Sequence, residues 1–149
     1  MNETLNNLAK AFIGESIARN KYTLFAEIAE REGLAAIAEA FTHTANQEKA
    51  HAKMTYMLIT DLARKENIYE LKVQVNLLTG IGDTIKNLES SLKGETLETT
   101  DIYPEFASVA EKEGYEEVAG KFQALSRAEQ NHAAKYRSLL DELKKSRRA

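Results

Sequence analysis

The 149-residue sequence has no cysteine, no tryptophan and a single proline. The absence of cysteine excludes disulfides, thiolate catalysis, cysteine-ligated zinc and iron–sulfur clusters within this chain. One proline and seven glycines are too few breaks for a sandwich or barrel of many short strands. No apolar run approaches the roughly 18–20 residues that span a bilayer, and the N-terminal residues lack the basic-then-apolar order of a signal peptide. We therefore expect a cytoplasmic protein without a membrane partner.

Charge is nearly balanced, since 20 Lys and Arg face 23 Asp and Glu for a net charge of −3. No basic stripe is present, so nucleic acid is not expected as a partner. Apolar residues make up 43% of the chain and charged residues 29%, which allows a sizeable core and disfavours disorder. The length suits one domain, residues 1–149.

Apolar residues recur at helical spacing along almost the whole chain. The pattern predicts four long helices, near residues 3–32, 34–66, 83–113 and 116–145. Gly33 and Gly114 are expected to end the first and third helices, and Asp83 suits the N-cap of the third.

Two helical hairpins follow, at about 3–66 and 83–145, joined by a crossover at about 67–82. An all-α, ferritin-like four-helix bundle has this arrangement of two hairpins and one long crossover. An internal repeat supports it, because residues 25–41 align with residues 106–122 at an offset of 81. Each half is then one hairpin, and two halves close the core.

The repeat also carries polar residues that an ordinary bundle core would not contain. Glu48 and His51 form Glu-x-x-His on the second helix, and Glu129 and His132 repeat it on the fourth, again at an offset of 81. Residues at i and i+3 leave the same helix face. Glu48 lies seven residues after Phe41 on the apolar stripe, so both pairs are expected to face the core.

The first and third helices supply Glu15 and Glu95, each of which directly follows a glycine. Four buried carboxylates repel one another, and bound cations are the simplest way to stabilise them. One Glu from each of two helices plus Glu-x-x-His from the other two is the pattern of di-iron or di-manganese carboxylate bundles. The alternative is ordinary surface glutamates with packed histidines. His43 has no counterpart in the other half and is expected to be a surface or packing histidine.

One departure from the repeat is informative. Glu15 and Glu95 are 80 residues apart, whereas Tyr22 and Tyr103 are 81 apart. An extra residue inside a helix is absorbed as a π-bulge, often at a functional site, so we expect an i→i+5 irregularity between Glu95 and Tyr103. The same stretch contains Glu98, where the first half has Ala18, so the site should be asymmetric.

The chain resembles the rubrerythrin family in four segments: GESIARNKY at 14–22, EKAH at 48–51, GETLETTDIYPEFA at 94–107 and EQNH at 129–132. The resemblance implies a ferritin-like bundle with two iron ions and peroxidase activity. It implies that Glu48 and Glu129 bridge the irons, with Glu15 on one iron and Glu95 and His132 on the other.

In that family one iron exchanges a histidine for a glutamate on oxidation, and the matching residues are His51 and Glu98. Tyr22 and Tyr103 match pocket tyrosines that hydrogen-bond terminal carboxylates. The catalytic set implied is therefore Tyr22, Tyr103 and Glu98. Manganese or a mixed-metal centre remains an alternative to iron.

The resemblance is to the short form that lacks a rubredoxin-like domain. The expected function is reduction of hydrogen peroxide to water, in defence against oxidative stress, with electrons from a separate donor, either rubredoxin-like or a reductase. One alternative is an iron-handling ferroxidase without reductive turnover. An oxidase or dimanganese catalase-like activity and a non-catalytic helical partner are the others. We also expect a homodimer, with exchange of hairpins between chains left open.

Overall fold

The computed structural model describes residues 2–148, and these contain helices and no strand. The elements are α1 (Glu3–Arg31), α2 (Ala35–Lys65), α3 (Thr84–Leu97), a π-helical segment (Glu98–Ile102), α4 (Tyr103–Lys112) and α5 (Glu116–Arg148). The third long helix consists of α3, the π segment and α4 without a break. The predicted all-α bundle of four long helices is confirmed. None of the helices between residues 2 and 148 is long and apolar enough to cross a membrane.

Both hairpins turn at a glycine, as predicted. Gly33 and Gly114 have φ values of +76° and +86°, in the left-handed region that glycine adopts without a Cβ clash. The residue after each glycine donates its N–H to a carbonyl in the last turn of the preceding helix. Leu34 donates to the Ala29 carbonyl at 2.9 Å, and Tyr115 donates to the Ala110 carbonyl at 2.8 Å. These bonds satisfy carbonyls that the helix ends would otherwise leave free.

Capping side chains close the N-termini of α1 and α3 in the same way. The side-chain oxygen of Asn2 accepts from the Leu5 N–H at 2.6 Å, and that of Asp83 accepts from the Lys86 N–H at 2.9 Å. Each cap satisfies one of the free N–H groups in the first turn. The prediction that Asp83 caps the third helix is confirmed.

A second cap at each N-terminus comes from the turn of the opposite hairpin. The Glu113 carboxylate accepts from the Glu3 and Thr4 N–H groups at 3.2 and 2.7 Å. Glu32 accepts from the Thr84 N–H at 3.1 Å. A carboxylate at a helix N-terminus also interacts favourably with the helix dipole. The two hairpins are thus tied together at both ends of the bundle.

The core has two apolar clusters, one toward each end of the bundle. The first contains Leu5, Leu8, Tyr103, Phe122 and Leu125, and the second contains Phe25, Phe41, Leu88, Tyr136 and Leu140. Along every long helix, the inward glutamate lies between its contributions to these two clusters. The polar layer is therefore in the middle of the bundle.

Helix α5 continues to Arg148, three residues beyond the predicted end. Cations near a helix C-terminus are favourable, and two of them also lie close to carboxylates, one on α3 of the same hairpin and one in the turn of the other hairpin. Lys144 Nζ lies 3.1 Å from Glu89, and Arg147 lies 3.6 Å from Glu32. The basic end is therefore part of the helix.

The crossover follows α2, and Asn67, two residues after the helix ends at Lys65, lies in the left-handed region with φ +56°. Ile68, Leu71 and Val73 pack on the first apolar cluster. The second half of the crossover leaves apolar side chains in solvent, among them Leu77 and Leu78.

Candidate metal centre

Four long helices each contribute one carboxylate to the polar layer. Glu15 on α1, Glu48 on α2, Glu95 on α3 and Glu129 on α5 all have 0% of their surface exposed. The Glu-x-x-His turns add His51 from α2 and His132 from α5. The spacing works because i and i+3 leave one helix face about a turn apart.

These six side chains form two groups that share two members. Glu15, Glu48, His51 and Glu129 make one group, and Glu48, Glu95, Glu129 and His132 make the other; within each group the ligand atoms lie within 4.8 Å of one another. His51 Nδ1 is 3.4 Å from oxygens of Glu15, Glu48 and Glu129. His132 Nδ1 is 3.2 Å from Glu48 and 3.6 Å from Glu95 and Glu129. Two adjacent cation sites with Glu48 and Glu129 between them fit this arrangement.

The lack of hydrogen-bond partners for the donor atoms also fits bound metal ions. Eight buried atoms of the six side chains have no hydrogen-bond partner among residues 2–148: Oε2 of Glu15 and Glu95, both oxygens of Glu48 and Glu129, and Nδ1 of His51 and His132. An unpaired buried polar atom is costly, and a bound cation satisfies several at once. Oxygen and imidazole donors without thiolate suit iron or manganese.

The protonation of the cluster shows how strongly its charges interact. Burial raises the pKa of Glu15 and Glu95 well above the usual range, although the nearby rings of His51 and His132 respectively act against it. Burial alone would lower the pKa of both histidines, but contacts with the carboxylates outweigh it and raise them to about 12. These shifts favour bound protons on Glu15, Glu95 and the two histidines, so metal binding at this cluster competes with protons.

Two tyrosines join the hairpins at the edges of the cluster. The Tyr22 hydroxyl on α1 donates to Glu95 on α3, and the Tyr103 hydroxyl on α4 donates to Glu15 on α1. Burial and the charge of the accepting carboxylate raise the pKa of each tyrosine well above its usual value. Both hydroxyls therefore keep their protons and fix the two unshared glutamates.

Glu98 belongs to neither group of close ligand atoms. It is the first residue of the π segment and is half-buried. Burial raises its pKa well above the usual range, and the charges of Glu129, Glu15 and Glu48 raise it further. Glu98 thus lies within the electrostatic field of the cluster but outside both groups of close ligand atoms. His43 is exposed and is in neither group.

The predicted i→i+5 irregularity is confirmed as the π segment, where the Tyr103 N–H donates to the Glu98 carbonyl. At the same i→i+5 spacing, the N–H of residue 104 would be the next donor, and the Thr99 carbonyl would accept from it. Pro104 has no N–H. The Ser126 hydroxyl on α5 donates to the Thr99 carbonyl instead, at 2.9 Å, and so replaces the missing donor.

Sequence reasoning missed two residues of this region, Ser126 and Gln47. Gln47 Oε1 on α2 lies 2.7 Å from His132 Nε2 on α5. In the sequence both residues look like ordinary polar helix positions, since neither belongs to a motif. A comparison of the halves would have singled them out, because the offset of 81 places Ala45 opposite Ser126 and Ala128 opposite Gln47.

The rubrerythrin family model matches residues 6–140. The chain belongs to the rubrerythrin family. It is 47% identical over 146 residues to a putative rubrerythrin of Methanocaldococcus jannaschii, an alignment that covers 96% of this chain and 72% of that protein. It is 36% identical over 145 residues to the rubrerythrin of Nitratidesulfovibrio vulgaris, covering 97% and 72%. The alignments therefore cover nearly all of this chain but only 72% of each relative.

Solved structures agree with the family. Nigerythrin in its fully reduced, all-ferrous state aligns with a TM-score of 0.81 at 34% identity, covering 97% of this chain and 69% of that one. Reduced symerythrin from Cyanophora paradoxa aligns with a TM-score of 0.81 at 28% identity, covering 96% and 86%. The cofactor of rubrerythrins is a di-iron centre, and the two groups of ligand atoms fit it. Rubrerythrins are di-iron proteins of the oxidoreductase type, generally linked to oxidative-stress defence.

Proposed function

We propose that this chain is a peroxidase that reduces hydrogen peroxide to water with electrons from a separate donor protein. The observation that carries the proposal is the pair of ligand groups that share Glu48 and Glu129. Two adjacent metals can hold both oxygens of one small substrate. When bound, two ferrous ions supply the two electrons that, with two protons, convert one peroxide molecule into two of water.

The residues around the centre have distinct roles in this proposal. Glu48 and Glu129, which belong to both ligand groups, would hold both metals, and Glu15 and Glu95 would each hold one. The hydroxyls of Tyr22 and Tyr103 keep these terminal carboxylates in place through the hydrogen bonds described above. The water-poor core keeps the interactions between these charges strong.

Glu98 and His51 give the proposed site its response to oxidation. A ferric ion carries one more positive charge than a ferrous ion, which favours an anionic carboxylate over a neutral imidazole. Glu98 is the nearby carboxylate outside both ligand groups, and it lies on the π segment. We therefore propose that Glu98 replaces His51 as a ligand in the oxidised protein, while His132 stays in both states.

Titration of the anaerobic, Fe(II)-loaded protein with hydrogen peroxide tests the function. We expect rapid oxidation of two ferrous ions per peroxide, and repeated turnover when a reductase and a rubredoxin supply electrons. The Glu129→Ala variant is the control, because it lacks a shared ligand. Much faster oxidation by O₂ than by peroxide, without reductive turnover, would refute the proposal and favour an iron-handling ferroxidase.

A further inference from the structure

The two histidines of the cluster differ in what holds the far side of the ring. Both direct Nδ1 at carboxylates of the cluster. His132 Nε2 lies 2.7 Å from Gln47 Oε1, whereas among residues 2–148 no hydrogen-bond partner is found for His51 Nε2. His51 is also the more exposed side chain, at 19% against 7% for His132.

The Gln47 contact determines which tautomer His132 adopts once metal binding has made the ring neutral. A side-chain amide oxygen can only accept a hydrogen bond, so Nε2 must carry the proton and donate. In a neutral imidazole the other nitrogen, Nδ1, is then free to bind a metal. Nδ1 is the atom that faces Glu48, Glu95 and Glu129. The contact therefore selects the metal-binding form of the ring and fixes its plane.

The repeat shows that this support exists on one side only. An offset of 81 relates His51 to His132 and Gln47 to Ala128. Gln47 on α2 reaches across to the histidine of α5. The equivalent hydrogen bond from α5 to His51 would need a polar side chain at position 128, but Ala128 has none. The protein thus anchors one metal-facing histidine and leaves the other without an anchor.

We propose that Gln47 is a positioning residue that makes the two halves of the di-iron centre unequal. It holds His132 as a fixed ligand, and its absence at position 128 leaves His51 as the exchangeable one. This inference rests on the di-iron centre and not on the peroxidase activity. Loss of the hydrogen-bond partner of a metal-binding histidine typically lowers metal affinity about 10- to 100-fold. Because Gln47 is exposed, the lower end of that range applies.

The test uses proton NMR of the anaerobic, Fe(II)-loaded protein. The ring N–H protons of ligand histidines shift far from other signals, and their exchange with solvent can be timed one by one. We expect two such signals, a slowly exchanging one from His132 and a fast one from His51, assigned by their contacts to α5 or α2. Gln47→Leu should make the slow signal fast and weaken one of two Fe(II) binding steps about 10-fold.

Three further variants complete the design. Gln47→Glu keeps an acceptor and should restore the slow signal. Ala128→Gln should slow the exchange of the His51 signal. Gln130→Leu is the matched control, because Gln130 is also an exposed glutamine beside a cluster glutamate, and it should change neither signal.

The inference is overturned if Gln47→Leu leaves both exchange rates and both Fe(II) affinities as in the parent. It is also overturned if that variant speeds the His51 signal instead, or if Gln130→Leu has the same effect as Gln47→Leu. These measurements use reduced protein without peroxide. They can therefore support the role of Gln47 even where peroxide turnover fails, and turnover can succeed where they fail.

Discussion

The hydrogen bond from Ser126 to the π segment gives a sharp test of how the extra residue is accommodated. Ser126→Ala removes the only donor that the structure, over residues 2–148, gives to the Thr99 carbonyl from outside its own helix. An unsatisfied buried carbonyl costs about 1–3 kcal/mol. Thr99 and Ser126 are both half-buried, so water can partly replace the hydroxyl. We therefore expect a loss of about 1 kcal/mol in the free energy of unfolding.

Pro104 provides the second half of a double-mutant cycle. In Pro104→Ala the restored N–H can donate to the Thr99 carbonyl at the i→i+5 spacing of the π segment. The loss caused by Ser126→Ala should therefore be much smaller in the Pro104→Ala background. The expected coupling between the two positions is about 1 kcal/mol. The cycle cancels the effect that removal of proline has on the unfolded chain.

Urea unfolding of the Fe(II)-saturated protein measures all four members of the cycle. A loss of 1 kcal/mol corresponds to a midpoint shift of about 0.5 M at a slope of about 2 kcal/mol/M. Ser138→Ala is the control, since Ser138 is an exposed serine on the same helix, and it should stay within about 0.5 kcal/mol of the parent. Equal losses from Ser126→Ala with and without Pro104 would refute the reasoning.

Three further outcomes are expected. Hydrogen bonds from the Thr4 hydroxyl and from the Thr4 and Glu3 N–H groups lower the pKa of Glu113 from its ordinary 4.5. The stability that ionised Glu113 contributes is therefore fully present above pH 4.5 and is lost as the pH falls through the lowered pKa. Glu113→Ala should cost about 1 kcal/mol at pH 7 and flatten the acid limb of a pH–stability curve. Glu98→Ala should bind Fe(II) as the parent does but turn over peroxide more slowly, and undiminished turnover would exclude the ligand exchange. Light scattering should give about twice the chain mass of 16.7 kDa, since the crossover exposes Leu77 and Leu78; a mass near 16.7 kDa at micromolar concentration would exclude a stable dimer.

The helices and the ligand cluster could be predicted from the sequence because their signals are local. Gly33, Gly114 and Asp83 mark helix ends through their own backbone or side chain. The offset of 80 between Glu15 and Glu95, against 81 elsewhere, locates the extra residue to within one helix. The inward stripe fixes which glutamates share the core.

Contacts between distant helices could not be predicted in this way. Gln47 and His132 are 85 positions apart, and Ser126 and Thr99 are 27 apart. Whether a glutamine beside Glu48 stays in solvent or reaches a neighbouring helix depends on how closely the helices pack. The cap that Glu113 gives to α1 is of the same kind, since it joins residues 109 positions apart. Composition and periodicity contain no information on these distances.

The differences between the two halves all favour one functional division of the site. The second half has the inserted residue, which places Glu98 on the π segment near the cluster, where the first half has Ala18. It also has Ser126, which donates to the Thr99 carbonyl of that segment, where the first half has Ala45 and the uninterrupted helix α1. The first half has Gln47, which anchors His132, where the second half has Ala128 and no anchor for His51. A duplicated hairpin would by itself give two equivalent metal positions. If the proposals above hold, these substitutions fix the ligand of one position and supply a spare carboxylate to the other, as a centre that changes one ligand per redox cycle would require.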